Sequence, residues 1–131
     1  KMELAVRREK GGEVHECVDN DETAAVIAGL VHARMLVLMT STEGIYQEVG
    51  NPDALVREVT AREPEELERK IRALQEGCIG ASRSGANGAR AKLEYALQSA
   101  RTGTTVVIGH ARHRLSDLTA GRVPCTRIGL E

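Results

Sequence analysis

ETAAVIAGLVHARMLVLMT, residues 22–40, is the stretch on which the fold of this chain turns. An alanine-rich run of helical length is followed after a few residues by Met35–Thr40, apolar at nearly every position. Asp19-Asn20-Asp21 stands just before the run. Asp and Asn accept hydrogen bonds from the free N–H groups of a first helical turn, and their charge opposes the positive helix end. The spacing predicts a helix whose buried face carries Ile27, Leu30 and Val31, with Ala24 and Ala28 permitting close approach to a sheet. An apolar run without alternation suits a central strand covered on both faces, the usual condition in α/β folds.

Working outward, MELAVRREKGGEVHEC (residues 2–17) reads as two strands around Gly11-Gly12, a favoured hairpin turn. STEG and GNPD are turn signals on either side of a short strand, IYQEV, and ALVREV (54–59) is a further strand or edge segment. EPEELERKIRALQEG (63–77) is a helix with Pro64 in its first turn, acidic residues early, basic residues later and Gly77 closing it. Leu67, Ile71 and Leu74 form its buried stripe. A loop, GASRSGANG (80–88), leads into the helix ARAKLEYALQSA (89–100), which buries Leu93, Ala96, Leu97 and Ala100. TTVVIG is a strand, RLSDLTAG a short helix and CTRIGL a last strand. Strands alternating with helices give an α/β fold: a mostly parallel sheet flanked by helices, in three layers, α/β/α.

Length and composition exclude several function classes. At 131 residues, the chain suits one domain, residues 1–131, with a core of its own. A formal net charge of -1 offers no footprint for nucleic acid or an anionic membrane. With Tyr46 and Tyr95 as its only aromatics, the chain also lacks a base-stacking platform. Its apolar stretches are far shorter than a membrane span, and its basic start has no apolar core of a signal peptide behind it. Cys17, Cys78 and Cys125, widely spaced and without a CxxC, read as reduced thiols of a cytoplasmic protein. Cys78 and Cys125 are expected as buried hydrophobes. The start at Lys1 reads as a processed piece or part of a longer polypeptide.

Three loops can meet at the carboxyl ends of the strands, where open α/β sheets collect ligands. In residues 84–92, small residues precede a helix and Lys92 follows in its first turns, so backbone N–H groups, the helix dipole and an ammonium form a phosphate-suited site. This is not a Walker A motif, because no Lys-Ser/Thr pair follows the glycines. Asp19-Asn20-Asp21 can hold a positioned lysine, an amine or a hydroxyl; its plainer role is a helix cap. Thr40-Ser41-Thr42-Glu43-Gly44 offers hydroxyls and backbone donors to a nucleotide, or is only a polar turn. His110 and His113 lack a third ligand at metal spacing, so no metal site is assigned.

In order, these segments resemble the C-terminal, ATP-binding half of the amino-acid kinase family, in its glutamate 5-kinase branch, with carbamate kinase and uridylate kinase as relatives. VDNDETAAVIAGLVHARMLVLMTSTEGIYQEVGNPDALVREVT is similar to the family's GDND, alanine-rich helix, apolar strand, LTDxxGLY and NPxA. SGANGARAKLEYALQSA resembles GTGGMxTKLxAAxxA, and TTVVIG…LSDLTAGRVPCTRI resembles the closing strand, LxxLxxG and GTxI. The resemblance implies phosphoryl transfer from ATP, with Mg²⁺, to a carboxylate, carbamate or phosphate oxygen, and a small acidic substrate such as glutamate. It implies that Lys92 neutralises the transferring phosphoryl group beside Gly85, Asn87 and Gly88. It further implies that Asp21 orients catalytic lysines, that Asn20 contacts substrate, and that Thr40, Ser41, Gly44 and Tyr46 lie in the segment lining the nucleotide. Departures are Ser41 for the family's Asp, Asn87 for its middle glycine, Ala89 for its Met, Ala91 for the Thr before the lysine, and Pro124-Cys125-Thr126 for its GT pair. The family's N-terminal half, with its own phosphate loop and first catalytic lysine, has no counterpart here. The partner so implied is that missing half or a second copy of the chain. A degenerate, non-catalytic nucleotide-binding or protein-interaction domain of the same fold is the alternative, and an α/β interaction domain with purely structural loops is a third.

Overall fold

The computed structural model describes residues 20–47, 51–79 and 84–131. Helix α1 (Asn20–Leu30) leads to strand β1 (Met35–Thr40). The short strands β2 (Ile45–Tyr46) and β3 (Leu55–Val56) flank a single 3-10 turn at Pro52–Ala54. Then come β4 (Glu58–Ala61), α2 (Pro64–Ile79), α3 (Ser84–Ala100), β5 (Thr105–His110), α4 (Leu115–Ala120) and β6 (Thr126–Leu130). The main sheet has the order β1-β5-β6-β4, and β2 and β3 form a separate antiparallel pair.

β1 and β5 run parallel in continuous register, from Met35 opposite Thr105 to Thr40 opposite His110. β6 returns antiparallel to β5 and runs parallel to β4. Successive side chains of a strand point to opposite faces, and the core divides accordingly. Leu36, Leu38, Val106, Ile108 and Ile128 face α1, α2 and α3, where they pack with Ala24, Ala28, Leu67, Ile71, Leu93, Ala96 and Leu97. Val37 and Val107 face the other way and pack with Leu118 of α4 and with Cys125. The expected three layers are present, the second helical layer being the six-residue α4. Both faces of β1 are covered as expected, but among the described residues its in-sheet neighbour is β5 alone.

Several expectations need correction. In α1 the buried residues are Ala24 and Ala28 and Ile27 is half-buried, whereas Leu30 is 75% exposed and Val26 and, just past the helix, Val31 also lie outward. The methyl groups let the helix approach closely, and that approach turns the larger side chains away. ALVREV divides at Arg57: Leu55–Val56 pairs with β2, and Glu58 onward joins β6. Residues 84–88, expected as a loop, are the opening turns of α3. A helix already fixed by packing at Leu93 and Leu97 extends readily through Ala86, Ala89 and Ala91, and adding a turn is cheap once the nucleus exists. α2 likewise continues past Gly77 to Ile79. The expected hairpin at residues 2–17 and the Cys17 thiol lie outside the described residues.

One buried hydroxyl joins the small β2–β3 pair to the main sheet. Thr126 Oγ1 accepts from the Ile45 N–H (2.9 Å) and donates to the Val56 carbonyl (2.6 Å). Gly44 sits against it: a Cβ there would lie 2.4 Å from Thr126 Oγ1 and 3.1 Å from its backbone nitrogen. On the outer surface Arg72 of α2 bonds Glu94 of α3, and beneath them the buried Gln75 donates to the Arg90 carbonyl (3.1 Å). The Arg72 hydrogen bond is the main cause holding the Glu94 carboxyl below the ordinary glutamate value of 4.5, outweighing its partial burial.

Two outcomes are expected. Gly44→Ala forces a methyl group into a site whose neighbour is buried and doubly bonded, so stability falls by about 1–3 kcal/mol, read as a lower urea midpoint; an unchanged midpoint would mean that the loop can shift aside. Because the Glu94 carboxyl is depressed in the folded protein, its contribution is complete above 4.5 and disappears as pH falls through the folded value. Both partners are substantially exposed, so the contribution is at most about 1 kcal/mol. Urea titrations of wild type and Glu94→Gln are expected to differ at pH 7 and to converge as the pH falls well below 4.5; a constant gap would exclude ionisation as its source.

Candidate functional site

The parallel β1–β5 pairing sends both carboxyl ends to one edge of the sheet. α1 and α3 each descend from that edge before their strand returns to it. Asp21 and the opening turns of α3 therefore lie at the same edge as the segments that follow β1 and β5. β6, antiparallel to β5, starts at the same edge with Thr126. At the opposite edge Thr104 Oγ1 donates to the Ala33 carbonyl (2.8 Å), tying the two strand starts together.

Asp21 and Lys92, 71 positions apart, form an ion pair across α1 and α3, with Nζ 2.6 Å from Oδ2. Helical spacing explains the meeting. Asp21 shares a helix face with Ala24 and Ala28, and Lys92 shares one with Ala96 and Ala100. All four alanines are fully buried in the common core. The two side chains are only 17% and 16% exposed, so the pair is less screened than a surface one. Lys92 lies eight positions into α3, ~12 Å along its axis, not in its first turns. Asp21 holds the ammonium in place, and this hydrogen bond uses one of its three N–H donors.

The other residues singled out from the sequence gather at this edge. Thr40 ends β1, half-buried, and its carbonyl accepts from the Ala111 N–H (2.9 Å). Ser41 is exposed, and Tyr46 is half-buried in β2 opposite Leu55. Gly44 is held against Thr126. Asn20 opens the backbone of α1; Gly85 and Asn87 lie in the first turn of α3, whose N–H groups have no intrahelical acceptor. Gly88 is exposed with open space where a side chain would stand. Among the described residues no cluster of three or more His, Cys, Asp and Glu could hold a metal, and no helix is long and apolar enough to cross a membrane. Burial pushes the Cys125 thiol up, against the smaller effects of Arg127 and Arg57, so it persists as the inert, buried thiol expected. A groove of about 510 Å³ between α2 and β4, lined by Val56, Glu58, Val59, Leu74 and Gly77 among others, contains none of these candidate residues.

The contacts of four residues were not legible in the sequence. Glu43 accepts from Arg112 through Oε2, and His113 Nε2 lies 2.8 Å from its Oε1. Burial raises the Glu43 carboxyl, but the His113 hydrogen bond and the Arg112 charge outweigh it, leaving it below its ordinary 4.5. An ionised carboxylate only accepts, so the His113 ring donates. The fourth is Thr126. Its place after Pro124-Cys125, where the family has its GT pair, was the available signal; a pairing of Glu43 with residues some 70 positions away leaves no local signal.

Comparison with known proteins bears on the family and the fold. The model of the Amino acid kinase family matches residues 4–110. The chain is 37% identical over 116 residues to glutamate 5-kinase of Geobacillus kaustophilus, covering 86% of this chain and 29% of that protein. It is 38% identical over 108 residues to glutamate 5-kinase of Pseudomonas aeruginosa, covering 79% of this chain and 27% of that protein. The chain thus spans less than a third of the length of the curated relatives that it matches. Carbamate kinase from Giardia lamblia bound to AMP-PNP superposes with a TM-score of 0.64 at 18% identity, over 90% of this chain and 34% of that one, a likeness of fold. A mostly parallel sheet flanked by helices, with its helix starts and strand ends gathered at one edge, and a family match across most of its length together place the chain: it belongs to the amino acid kinase family.

Proposed function

We propose that this chain is the ATP-binding module of a phosphotransferase whose acceptor is a small carboxylate of the glutamate kind. The observation that carries the reading is the partly buried Asp21–Lys92 pair at the ligand-collecting edge of the sheet. Its relatives supply the acceptor class, being glutamate 5-kinases, and the fold likeness to a carbamate kinase bound to AMP-PNP supports the nucleotide.

The residues present suit a nucleotide's phosphates. Lys92 offers a fixed positive charge, the first turn of α3 offers N–H groups, and Thr40 and Ser41 offer hydroxyls. Phosphoryl transfer needs placed positive charge more than covalent help from the protein. Lys92 neutralises charge on the phosphoryl oxygens, and Asp21 holds the ammonium where that charge develops. Gly85, Asn87 and Gly88 belong to the opening turns of α3 beside the phosphates, Asn20 at the start of α1 is read as the acceptor contact, and Thr40, Ser41, Gly44 and Tyr46 flank the nucleotide. Mg²⁺ is read as part of the nucleotide substrate, bound to its phosphates. The acceptor pocket is completed by protein outside this chain, either the remaining part of the family's fold or a second copy.

A second reading, a non-catalytic nucleotide-binding or interaction domain of this fold, is favoured by the departures at Ser41, Asn87, Ala89 and Ala91. Binding and turnover separate the readings. In calorimetric titrations Lys92→Ala is expected to weaken Mg·ATP at least about tenfold, and Mg·ADP much less, because the ammonium meets the terminal phosphate. Equal weakening would put Lys92 nearer the β-phosphate, and no weakening would remove it from the site. Asp21→Asn is expected to keep Mg·ATP affinity while abolishing turnover in an assembly supplied with the rest of the fold. Retained turnover would take Asp21 out of the mechanism; an active wild-type assembly would exclude the second reading.

A further inference from the structure

The segment 40–46 is held at three points that are far apart in sequence. The Thr40 carbonyl accepts from Ala111, Glu43 accepts from Arg112 and His113, and the Ile45 N–H bonds Thr126. The first is ladder continuation and the last belongs to the β2–β3 pair; the middle tie has no such role in forming the sheet. It is also not an ordinary surface ion pair. The His113 and Glu43 side chains are 15% and 21% exposed, against 58% for Arg112. Exposed ion pairs contribute little, so the His113 half of the tie carries the larger share. The His113 ring is itself braced by His110, whose ring meets it edge-on at 6.2 Å and whose Nδ1 accepts the Arg112 backbone N–H (3.0 Å).

We infer that Glu43 and His113 are positioning residues of the nucleotide site: their hydrogen bond fixes segment 40–46 against the segment after β5 before the nucleotide arrives. The inference rests on the reading of residues 40–46 as the nucleotide's flank. A segment already ordered spares the ligand the entropy of ordering it, so breaking the tie weakens binding without removing any ligand contact.

The test pairs amide hydrogen exchange over residues 41–46 with Mg·ATP calorimetry, for wild type, Glu43→Gln, His113→Ala, His113→Gln, Arg112→Ala and the Glu43→Gln/His113→Ala double variant. Exchange is expected to quicken in His113→Ala, with Mg·ATP binding about fivefold to tenfold weaker. Arg112→Ala is expected to change binding less than about twofold. His113→Gln keeps an N–H donor and is expected to restore most of the loss, and the double variant to bind no more weakly than the worse single one. Unchanged exchange in His113→Ala would overturn the tie. Faster exchange with wild-type affinity, or fully additive losses, would overturn the positioning role. Lys92→Ala separates the two levels: if it abolishes binding while His113→Ala does nothing, only this inference falls. If wild type itself binds no Mg·ATP, the functional reading falls and takes the inference with it.

Discussion

The parallel pairing of β1 with β5 is the constraint from which the rest follows. Six residues in continuous register fix where both strands end. Each strand is preceded by a helix that must begin near the edge where the strand finishes. An acid at the start of α1 and a lysine on α3 are thereby brought within hydrogen-bond reach, although neither has any sequence neighbour in common. Moving the ladder by one residue would turn Leu36 and Leu38 toward α4 and Val37 toward the large core, so the register is specified by burial as well as by hydrogen bonds.

Small residues set the distances between the layers. Ala24 and Ala28 let α1 approach closely enough for Asp21 to reach Lys92. Gly44 admits Thr126, and Gly109 admits Leu118, whose Cδ2 would lie 2.4 Å from a Cβ at that position. Each of these close approaches fixes a segment at or near the candidate site: the start of α1, the turn after β1 and the end of β5. The site is therefore positioned by the absence of side-chain bulk as much as by contacts between large groups.

Three charge pairs of different burial divide the electrostatics. The Arg72–Glu94 bond lies on the outer surface, where water and salt reduce its value. The Asp21–Lys92 and Glu43–His113 pairs are mostly withdrawn from solvent at the carboxyl edge. There a partner's loss leaves a charge poorly hydrated.

The sequence by itself determined the alternation of helix and strand, the limits of β1, the buried stripes of α2 and α3, and the family. These depend on local periodicity, caps and turn residues, or on motifs in a fixed order, and all are written in contiguous residues. It also pointed to Asp21 and Lys92 separately, through a helix-start signal and a small-residue stretch before a helix. Their pairing, the burial of alanines in place of Leu30 and Val31, the division of ALVREV at Arg57 and the Glu43–His113 tie were decided only by the tertiary structure. Which face of a short alanine-rich helix is buried depends on how closely its neighbour can approach, and a hydrogen bond spanning some 70 positions exists only once the sheet has set two strand ends side by side.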